Sequence, residues 1–502
     1  MPPRTFPRSP VLSWILPFVS RVAAAGGHRT RTLAALGIAL LASSVSAAER
    51  RPDVLFVALD DLNDWITLLD PAAPVITPNL QRLARRGVSF TRAYAASPAC
   101  NPSRTALLTG RAPSSTGVYG NAADWRAVLP DAVTLPQAFR RAGYRAEGAG
   151  KIFHHHLGGA FHDAPSFDAF LPMPDPPDAP MPREKLNRLP AYGTANTDWG
   201  AWPPREEDAL DIRSVDWCID RLRMPRTAPL FLACGLFRPH MPFFVPERWV
   251  ARLPADRVTL PVIKSEDLDD VPPGGRALHE PSAGRFWRGM AESEKARPGS
   301  WREAVRHYQA AATFADAQVG RLLDALDATP RGRSTIIVLW SDHGYQLGEK
   351  DSWEKFTLWE KATRVPFIVV APGVTPAGAT CDRPVTLLDL YPTLVELAGV
   401  PAPAGLEGRS LVPLLRAPSA AWDRPAVMTY LRGNHAVRSE RYRYIRYANG
   451  DEELYDHDAD PHEWTNLASR AEFASAKSDL ARWLPRTDAP DAPDLRRPGR
   501  KK

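Results

Sequence analysis

A continuous apolar run near the start of the chain constrains the fold more than any other feature. Residues 53–59 read Asp-Val-Leu-Phe-Val-Ala-Leu, without the polar alternation of a half-exposed strand. Such a run is typical of a central strand of a parallel sheet, buried on both faces. Asp60 and Asp61 follow it directly, so two carboxylates stand at the carboxyl end of a buried strand.

The rest of the chain alternates between apolar strand-like segments and helical segments. Further strands are predicted at about 229–237, 334–340 and 365–371, and helices at about 77–86, 134–143, 206–224, 301–327 and 386–399. This alternation predicts an α/β sandwich whose large, mostly parallel sheet is flanked by helices. Short strands at 426–430, 436–439 and 441–447, with a helix near 471–483, predict a smaller C-terminal antiparallel sheet.

The two ends of the chain differ in composition from its body. The apolar run Leu33–Ala42 follows Arg29 and precedes small residues up to Ala47. This layout predicts a signal peptide over 1–47 and export to the periplasm or the extracellular space, with no membrane span in the mature chain. We expect a large domain over 48–425, which would hold any functional site at its strand ends, a small α+β subdomain over 426–488 and a basic disordered tail over 489–502.

Net charge argues against a nucleic-acid-binding protein. The whole chain carries +6, but the segments 1–47 and 496–502 carry +5 each, which leaves the body at −4. A mildly acidic body does not provide the basic surface that nucleic-acid binding requires. Four cysteines occur in the chain, and Cys218 and Cys234 fall in apolar segments that favour buried thiols.

A cysteine stands at the start of a predicted helix. Residues 97–110 read SPACNPSRTALLTG, in which Pro102 suits a first helical position and Gly110 suits the end of the helix. Cys100 therefore lies where unpaired backbone N–H groups favour an anion, and Arg104, one turn further on, can lean back toward it. An isolated cysteine at such a position is more often simply buried.

The longer string identifies more than a helix start. Cys100-x-Pro-Ser-Arg104, followed by Thr-x-Leu-x-Thr-Gly-Arg, resembles the signature of the type I sulfatases, in which this cysteine is matured to formylglycine. Segments 150–154, 237–243, 342–348, 353–355 and 444–467 resemble the iduronate-2-sulfatase branch. The resemblance implies an alkaline-phosphatase-like fold, and it leaves 158–205 and 254–298 unmatched.

Carboxylates at two strand ends predict a metal site. Asp342 and His343 follow the strand predicted at 334–340, and parallel strands can bring their carboxyl ends together with Asp60 and Asp61. Adjacent buried carboxylates need neutralisation, although Asp60-Asp61 alone also fits a solvated turn. The resemblance implies Ca²⁺, with Mg²⁺ as the alternative, and a matured Cys100 adds an oxygen ligand. The nitrogen of His343 suits transition metals better than Ca²⁺.

The resemblance also implies catalytic roles. Cys100 provides the nucleophile and Arg104 makes its hydroxyl more acidic, while Lys151 and Lys355 stabilise charge on the sulfuryl oxygens. His240 is the candidate acid for the departing sugar oxygen, and His154 is the base that regenerates the aldehyde. Each of these residues alone also fits an ordinary loop or surface position.

Three functions compete at this point. The first is an exported sulfatase acting on a sulfated sugar or polysaccharide, matured by a formylglycine-generating enzyme. The second is a formylglycine-dependent phosphodiester or phosphonate monoester hydrolase, because a shared fold does not decide the reaction. The third is a sulfated-glycan-binding protein whose Cys100 is never modified.

Overall fold

The computed structural model describes residues 51–154, 161–174 and 177–495. The predicted signal peptide lies outside the described residues, as do 496–502 of the predicted tail. Along the described chain no helix combines the length and the apolar character that a membrane span requires.

β1 (Val54–Asp60) occupies the middle of the main sheet, and all seven of its residues are buried. Val54, Phe56 and Ala58 pack into the apolar core on one face of the sheet, and Leu55, Val57 and Leu59 into the core on the other. Burial on both faces is the reason that this segment is apolar at every position.

The other strands follow in chain order. They are β2 (Val88–Tyr94), β3 (Arg145–Gly150), β4 (Ala169–Leu171), β5 (Trp199–Ala201), β6 (Leu230–Pro239), β7 (Phe243–Val245), β8 (Ile336–Ser341), β9 (Gln346–Leu347), β10 (Trp353–Glu354), β11 (Arg364–Val370), β12 (Ala379–Cys381), β13 (Val385–Thr386), β14 (Ala426–Thr429), β15 (His435–Arg438), β16 (Tyr442–Arg446) and β17 (Glu452–Asp456).

The main sheet has the order β12-β2-β11-β8-β1-β6-β3-β4, with β13 also paired to β2. β11 runs antiparallel to both of its neighbours, and all the other pairings in this sheet are parallel. The predicted fold class, a large mostly parallel sheet flanked by helices, is confirmed. Two small pairs, β5 with β7 and β9 with β10, lie outside it.

Helices cover both faces of the main sheet. They are α1 (Pro78–Ala84), α2 (Cys100–Thr109), α3 (Pro113–Thr116), α4 (Trp125–Val128), α5 (Leu135–Arg141), α6 (Leu210–Arg223), α7 (Glu247–Ala251), α8 (Pro273–His279), α9 (Arg285–Ala296), α10 (Ser300–Asp327), α11 (Glu360–Thr363), α12 (Leu390–Leu397), α13 (Val412–Arg416) and α14 (Ala474–Ala481). α1, α6 and α10 pack on one face, and α2, α5 and α12 on the other.

The segment 254–298 has more regular structure than its proline content suggests. It contains α8 and α9, joined by a short π-helical turn at Glu280–Gly284. In α9 only Met290 and Ser293 are fully buried, so the apolar periodicity that would reveal the helix in the sequence is weak.

The second sheet is antiparallel in the order β14-β15-β16-β17, and α14 packs against it. The structure adds β17 to the three strands expected from the sequence. Part of the tail that was predicted to be disordered, residues 489–495, is hydrogen-bonded to the rest of the chain. Ala489, Ala492 and Leu495 donate backbone hydrogen bonds to the carbonyls of Ser114, Gly117 and Ala122, which anchors this stretch to the catalytic unit. All four cysteines are buried free thiols.

Candidate active site

The candidate site lies at the carboxyl ends of four adjacent strands, β8, β1, β6 and β3. Asp60 and Asp61 end β1, while Asp342 and His343 follow β8. Lys151 follows β3, and His240 follows β6. Ligand sites in open α/β sheets lie at this edge. Parallel pairing thus joins residues that are nearly three hundred positions apart in the sequence.

α2 presents Cys100 to this edge. The helix begins at Cys100, two residues earlier than the position of Pro102 suggests, after an extended Ala99. Proline is tolerated at its third residue because the first backbone N–H groups of a helix have no acceptor within it. Gly110 ends the helix with φ of 70°, in the left-handed conformation that glycine adopts readily.

Two ammonium groups flank the Cys100 sulfur. Lys151 Nζ and Lys355 Nζ each lie 3.6 Å from Cys100 Sγ, and His343 Nε2 lies 3.2 Å from it. Burial acts to raise the pKa of the Cys100 thiol, but the two lysines outweigh it and bring this pKa well below its usual value. The position is therefore strongly electropositive, which suits an anionic ligand. Sγ marks where the oxygens of a formylglycine hydrate would stand.

Arg104 holds the carboxylates in place and makes no direct hydrogen bond to Cys100. It is fully buried; its Nε donates to Asp342 Oδ2 at 2.8 Å and its Nη2 to Asp60 Oδ1 at 3.3 Å. Its Nη1 donates to the carbonyls of Lys151 and Ile152. The expected lean toward Cys100 is thus replaced by a bridge between β1, β8 and the end of β3.

Four side chains form a compact group that suits a cation. Potential ligand atoms of Asp60, Asp61, Cys100 and His343 all lie within 4.8 Å of one another. His343 Nδ1 lies 2.9 Å from the Gly344 carbonyl oxygen; as the donor there, it leaves the Nε2 lone pair facing the group. Carboxylate oxygens and an imidazole match the donor set of a divalent ion, so these residues could hold one, although the imidazole does not single out Ca²⁺.

Asp342 lies beside this group. Its Oδ1 accepts the backbone N–H groups of Asp61 and His343, at 3.1 Å and 3.0 Å, and its Oδ2 accepts from Arg104. Burial acts to raise the pKa of Asp342, yet the Arg104 guanidinium, the largest of the opposing charges, brings it below its usual value, so the carboxyl stays ionised. Its ligand role therefore stays a prediction.

The two lysines pair with the two β1 carboxylates. Lys151 Nζ donates to Asp60 Oδ2, and Lys355 Nζ lies 2.7 Å and 3.0 Å from the two oxygens of Asp61. Despite Lys355, burial keeps the pKa of Asp61 above its usual value. The ammonium group of each lysine is therefore held between a carboxylate group and the Cys100 sulfur.

The two candidate proton-transfer histidines differ in how the structure links them to the site. His240 Nε2 lies 3.9 Å from Asp61 Oδ2, and its side chain is 24% exposed. His154 follows Lys151 on the same segment and is buried, with its ring edge-on to Phe161 at 5.9 Å. Phe161 also lies 5.6 Å from Lys151 Nζ, which puts His154 in the wall next to that lysine.

Two residues that support the site, Tyr308 and Asp211, were not predicted from the sequence. Tyr308, in the middle of α10, donates its hydroxyl to the Asp61 carbonyl at 2.8 Å, and its oxygen accepts the Asn63 N–H. Asp211 accepts the N–H groups of Phe237 and Arg238, just before His240, at 2.7 Å and 3.0 Å. Nothing in the sequence indicates the role of Tyr308. For Asp211 the sequence gives a weak signal, an acidic residue at the start of α6, which faces the end of β6.

Comparison with known proteins agrees with this geometry. The profile of the sulfatase family matches residues 52–400, and that of the N-sulphoglucosamine sulphohydrolase C-terminal region matches 348–489. The chain belongs to the sulfatase family, as the resemblance in the sequence predicted, and its fold is alkaline-phosphatase-like.

Individual relatives span most of the chain. A sulfatase of Formosa agariphila is 38% identical, over 92% of this chain and 93% of its own length. The iduronate 2-sulfatase of Homo sapiens is 29% identical, over 73% of this chain and 74% of its own length. The phosphonate monoester hydrolase of Agrobacterium radiobacter shares the fold with a TM-score of 0.70 at 22% identity, over 86% of this chain and 94% of that one.

Proposed function

We propose that this protein is an exported sulfatase that removes a sulfate ester from a sulfated sugar, with iduronate-2-sulfatase-like specificity. The observation that carries the proposal is the pair of ammonium groups, each 3.6 Å from the sulfur of Cys100. They converge on the one residue that the family matures into a nucleophile. Membership in the sulfatase family and the similarity to iduronate 2-sulfatase support the reaction and the class of sugar.

Cys100, once matured to formylglycine by a formylglycine-generating enzyme, would supply a hydrate hydroxyl as the nucleophile, and a Ca²⁺ or Mg²⁺ ion, when bound, would supply positive charge. Asp60, Asp61, His343 and Asp342 would hold the ion. Lys151 and Lys355 bind the sulfuryl oxygens and stabilise the charge that develops on them. Both lysines are almost fully buried, so little water competes for the sulfuryl oxygens.

Proton transfer falls to the two histidines. His240 stands at the partly open side of the site and delivers a proton from Nε2 to the departing sugar oxygen. His154, in the wall beside Lys151, takes the proton that must leave the residue-100 hydrate when sulfate is released. Arg104 orients Asp60 and Asp342 through its hydrogen bonds, and thereby positions the residues that surround the nucleophile.

The first experiment expresses the protein together with a formylglycine-generating enzyme and follows sulfate release. The substrate is an oligosaccharide ending in 2-O-sulfated iduronate, compared with 4-O- and 6-O-sulfated sugars. We expect release from the 2-sulfated end alone, and none from the Cys100→Ala variant. Cys218→Ala, which removes another buried thiol, serves as the matched control and should keep activity. If sulfate is released only from the other sugars, the sulfatase reaction is supported and the proposed specificity is refuted.

A phosphonate or phosphodiester hydrolase is the second candidate, favoured by the fold shared with the phosphonate monoester hydrolase of Agrobacterium radiobacter. The same electropositive pocket would bind either anion, so binding alone does not distinguish the two reactions. The rates of hydrolysis of an aryl sulfate and an aryl phosphodiester do. If the phosphodiester is hydrolysed faster than the sulfate ester, the second candidate function replaces the proposed sulfatase function. If the protein carries formylglycine at residue 100, confirmed by mass spectrometry, and still hydrolyses neither ester, that result would support the third function, a glycan-binding protein.

A further inference from the structure

A glutamate stands next to the lysine that reaches the nucleophile, and the mechanism above does not use it. Glu354 ends β10 and pairs in register with Gln346 of β9. The residues on either side of it, Trp353 and Lys355, are almost fully buried, whereas Glu354 is only half-buried. Its carboxyl group is therefore accessible at the edge of the site.

The backbone on both sides of Lys355 departs from regular strand geometry. Side chains alternate between the two faces of a regular strand, so residues 354 and 355 would point apart. Glu354 and Phe356 instead have φ of 83° and 78°, a left-handed conformation that is uncommon for residues other than glycine. Such strain persists where the surrounding structure over-determines it, and it clusters at functional sites.

The Glu354 carboxyl group has no hydrogen bond or ion pair with any residue that the structure describes. The charged groups that act on it come from four elements: Lys355 of its own segment, Asp61 after β1, His240 after β6 and Arg285 of α9. Burial is the main influence and raises the pKa of Glu354 to about 7, while Lys355 acts in the opposite direction. A half-buried carboxyl group without a partner is costly unless a ligand supplies a donor.

The neighbours of Glu354 indicate which part of a substrate it meets. Lys355 and Asp61 border the sulfuryl position, and His240 stands where the sugar oxygen departs. Glu354 directly precedes Lys355 and lies close enough to His240 for their charges to influence each other, which puts it on the sugar side of the sulfuryl position. An anionic acceptor suits a sugar hydroxyl there and does not suit a second anionic group.

We propose that Glu354 determines specificity by accepting a hydrogen bond from the sugar hydroxyl adjacent to the sulfate ester. The assignment rests on the proposed sulfatase function and adds a requirement for a free vicinal hydroxyl group. A site built to hydrogen-bond a hydroxyl rejects the analogue that lacks it, because its own polar group is then left unpaired.

The test compares methyl 2-O-sulfo-iduronoside with its 3-deoxy analogue, using the matured enzyme and its Glu354→Ala and Glu354→Gln variants. We expect the wild type to prefer the hydroxylated substrate by about tenfold in kcat/KM, the size of one hydrogen bond. Glu354→Ala should bring the ratio close to unity. Glu354→Gln, whose amide oxygen can still accept, should retain part of the preference.

Two controls separate this proposal from the sulfatase function itself. Glu292, exposed on the neighbouring helix α9, is the matched control, and Glu292→Ala should keep the wild-type ratio. Turnover of 4-nitrophenyl sulfate, which has no sugar hydroxyl, should be unchanged in Glu292→Ala, and in the Glu354 variants it measures any effect on the sulfuryl-binding Lys355 separately from the sugar ratio. Loss of aryl sulfate turnover from the wild type would refute the sulfatase function, a result distinct from a changed ratio.

Binding gives a second readout that does not need turnover. Calorimetric titration of the unmatured protein with the two sugars should show the same preference in Kd, abolished by Glu354→Ala. An unchanged ratio in Glu354→Ala, equal affinities in the wild type, or no binding of either sugar would overturn the assignment.

Discussion

Arg104 illustrates how one buried side chain organises the site. It is fully buried, like its two carboxylate partners Asp60 and Asp342, and it also donates to two backbone carbonyls at the end of β3. One planar guanidinium group thereby connects three strands of the sheet, a geometry that a lysine ammonium group cannot reproduce.

Replacing Arg104 by alanine should destabilise the protein strongly. Two buried carboxylates would lose their common partner, and breaking such a buried pair typically costs about 3–5 kcal/mol. Urea unfolding measures the change, with Arg104→Lys expected between the alanine variant and the wild type. Arg111 lies just beyond the same helix in a half-exposed pair with Glu407, so Arg111→Ala should cost about 1 kcal/mol or less. Equal costs for Arg104→Ala and Arg111→Ala would contradict this account.

Asp60, Asp61 and His343 should make stability depend on a divalent ion. An ion that binds only the folded state adds about 2.7 kcal/mol when its concentration is one hundred times its Kd. We expect Tm to rise when CaCl₂ is added to EDTA-treated protein, with MgCl₂ as the comparison. Asp60→Asn removes one charged ligand and should abolish the rise. If neither ion shifts Tm in the wild type, this group does not bind a divalent ion.

At the scale of elements, the turn between β6 and β7 carries His240 and is anchored from outside. Asp211, at the start of α6, accepts two of its backbone N–H groups. Arg238 donates to the carbonyls of Phe244 and His240 and pairs with the buried Asp178. Arg238 contacts His240 only at its backbone carbonyl, and Asp211 acts on His240 only through Phe237 and Arg238, so Asp211 is a positioning residue.

Asp211→Asn should affect chemistry that depends on a general acid. An amide oxygen replaces only part of the carboxylate, so the turn loosens and proton delivery by His240 is less effective. We expect kcat for a sugar sulfate to fall about tenfold, a part of the 10²–10⁴-fold that general acids contribute. An aryl sulfate, whose leaving group needs little protonation, should be much less affected. Asp220→Asn, on the exposed side of α6, is the control. Equal losses on both substrates would indicate a purely structural role.

At the scale of the whole molecule, a buried ion-pair network joins the second sheet to the catalytic unit. Arg443 of β16 is fully buried, pairs with Glu360 of α11, and lies 2.7 Å from Glu463 Oε1. Burial acts to raise the pKa of both glutamates, but Arg443, His457 and, for Glu360, Arg438 outweigh it and lower both values. The network holds the segment after Lys355 against the C-terminal sheet.

The lowered pKa values give a signed pH dependence. Groups with a depressed folded pKa stabilise the fold above their unfolded pKa, near 4.5 for glutamate, and this stability is lost as pH falls below it. Arg443→Met should therefore cost about 3–5 kcal/mol at pH 7 and less near pH 4, where the glutamates of the variant and of the unfolded chain take up protons. Tm measured against pH checks this. Arg441→Ala, in a half-exposed pair, should cost little at any pH. A cost of Arg443→Met that does not depend on pH would refute the linkage.

The sequence by itself determined the sheet, the leader prediction and the Cys100 motif, because these depend on local order. An apolar run that ends in Asp60-Asp61 predicts a buried strand wherever the chain goes afterwards, and the string from Cys100 to Arg111 is continuous. The motif segments therefore indicated the sulfatase family before any contact was known.

Only the tertiary structure decided how these residues meet. Arg104 bridges Asp60 and Asp342, although from its sequence position it was expected to lean toward Cys100, and Tyr308 holds Asp61 from a helix without any local signal. The free Glu354 carboxyl group likewise depends on a backbone conformation that the sequence does not reveal. The physical reason is that buried charges choose partners by distance in space, and parallel pairing brings together strand ends far apart in the sequence.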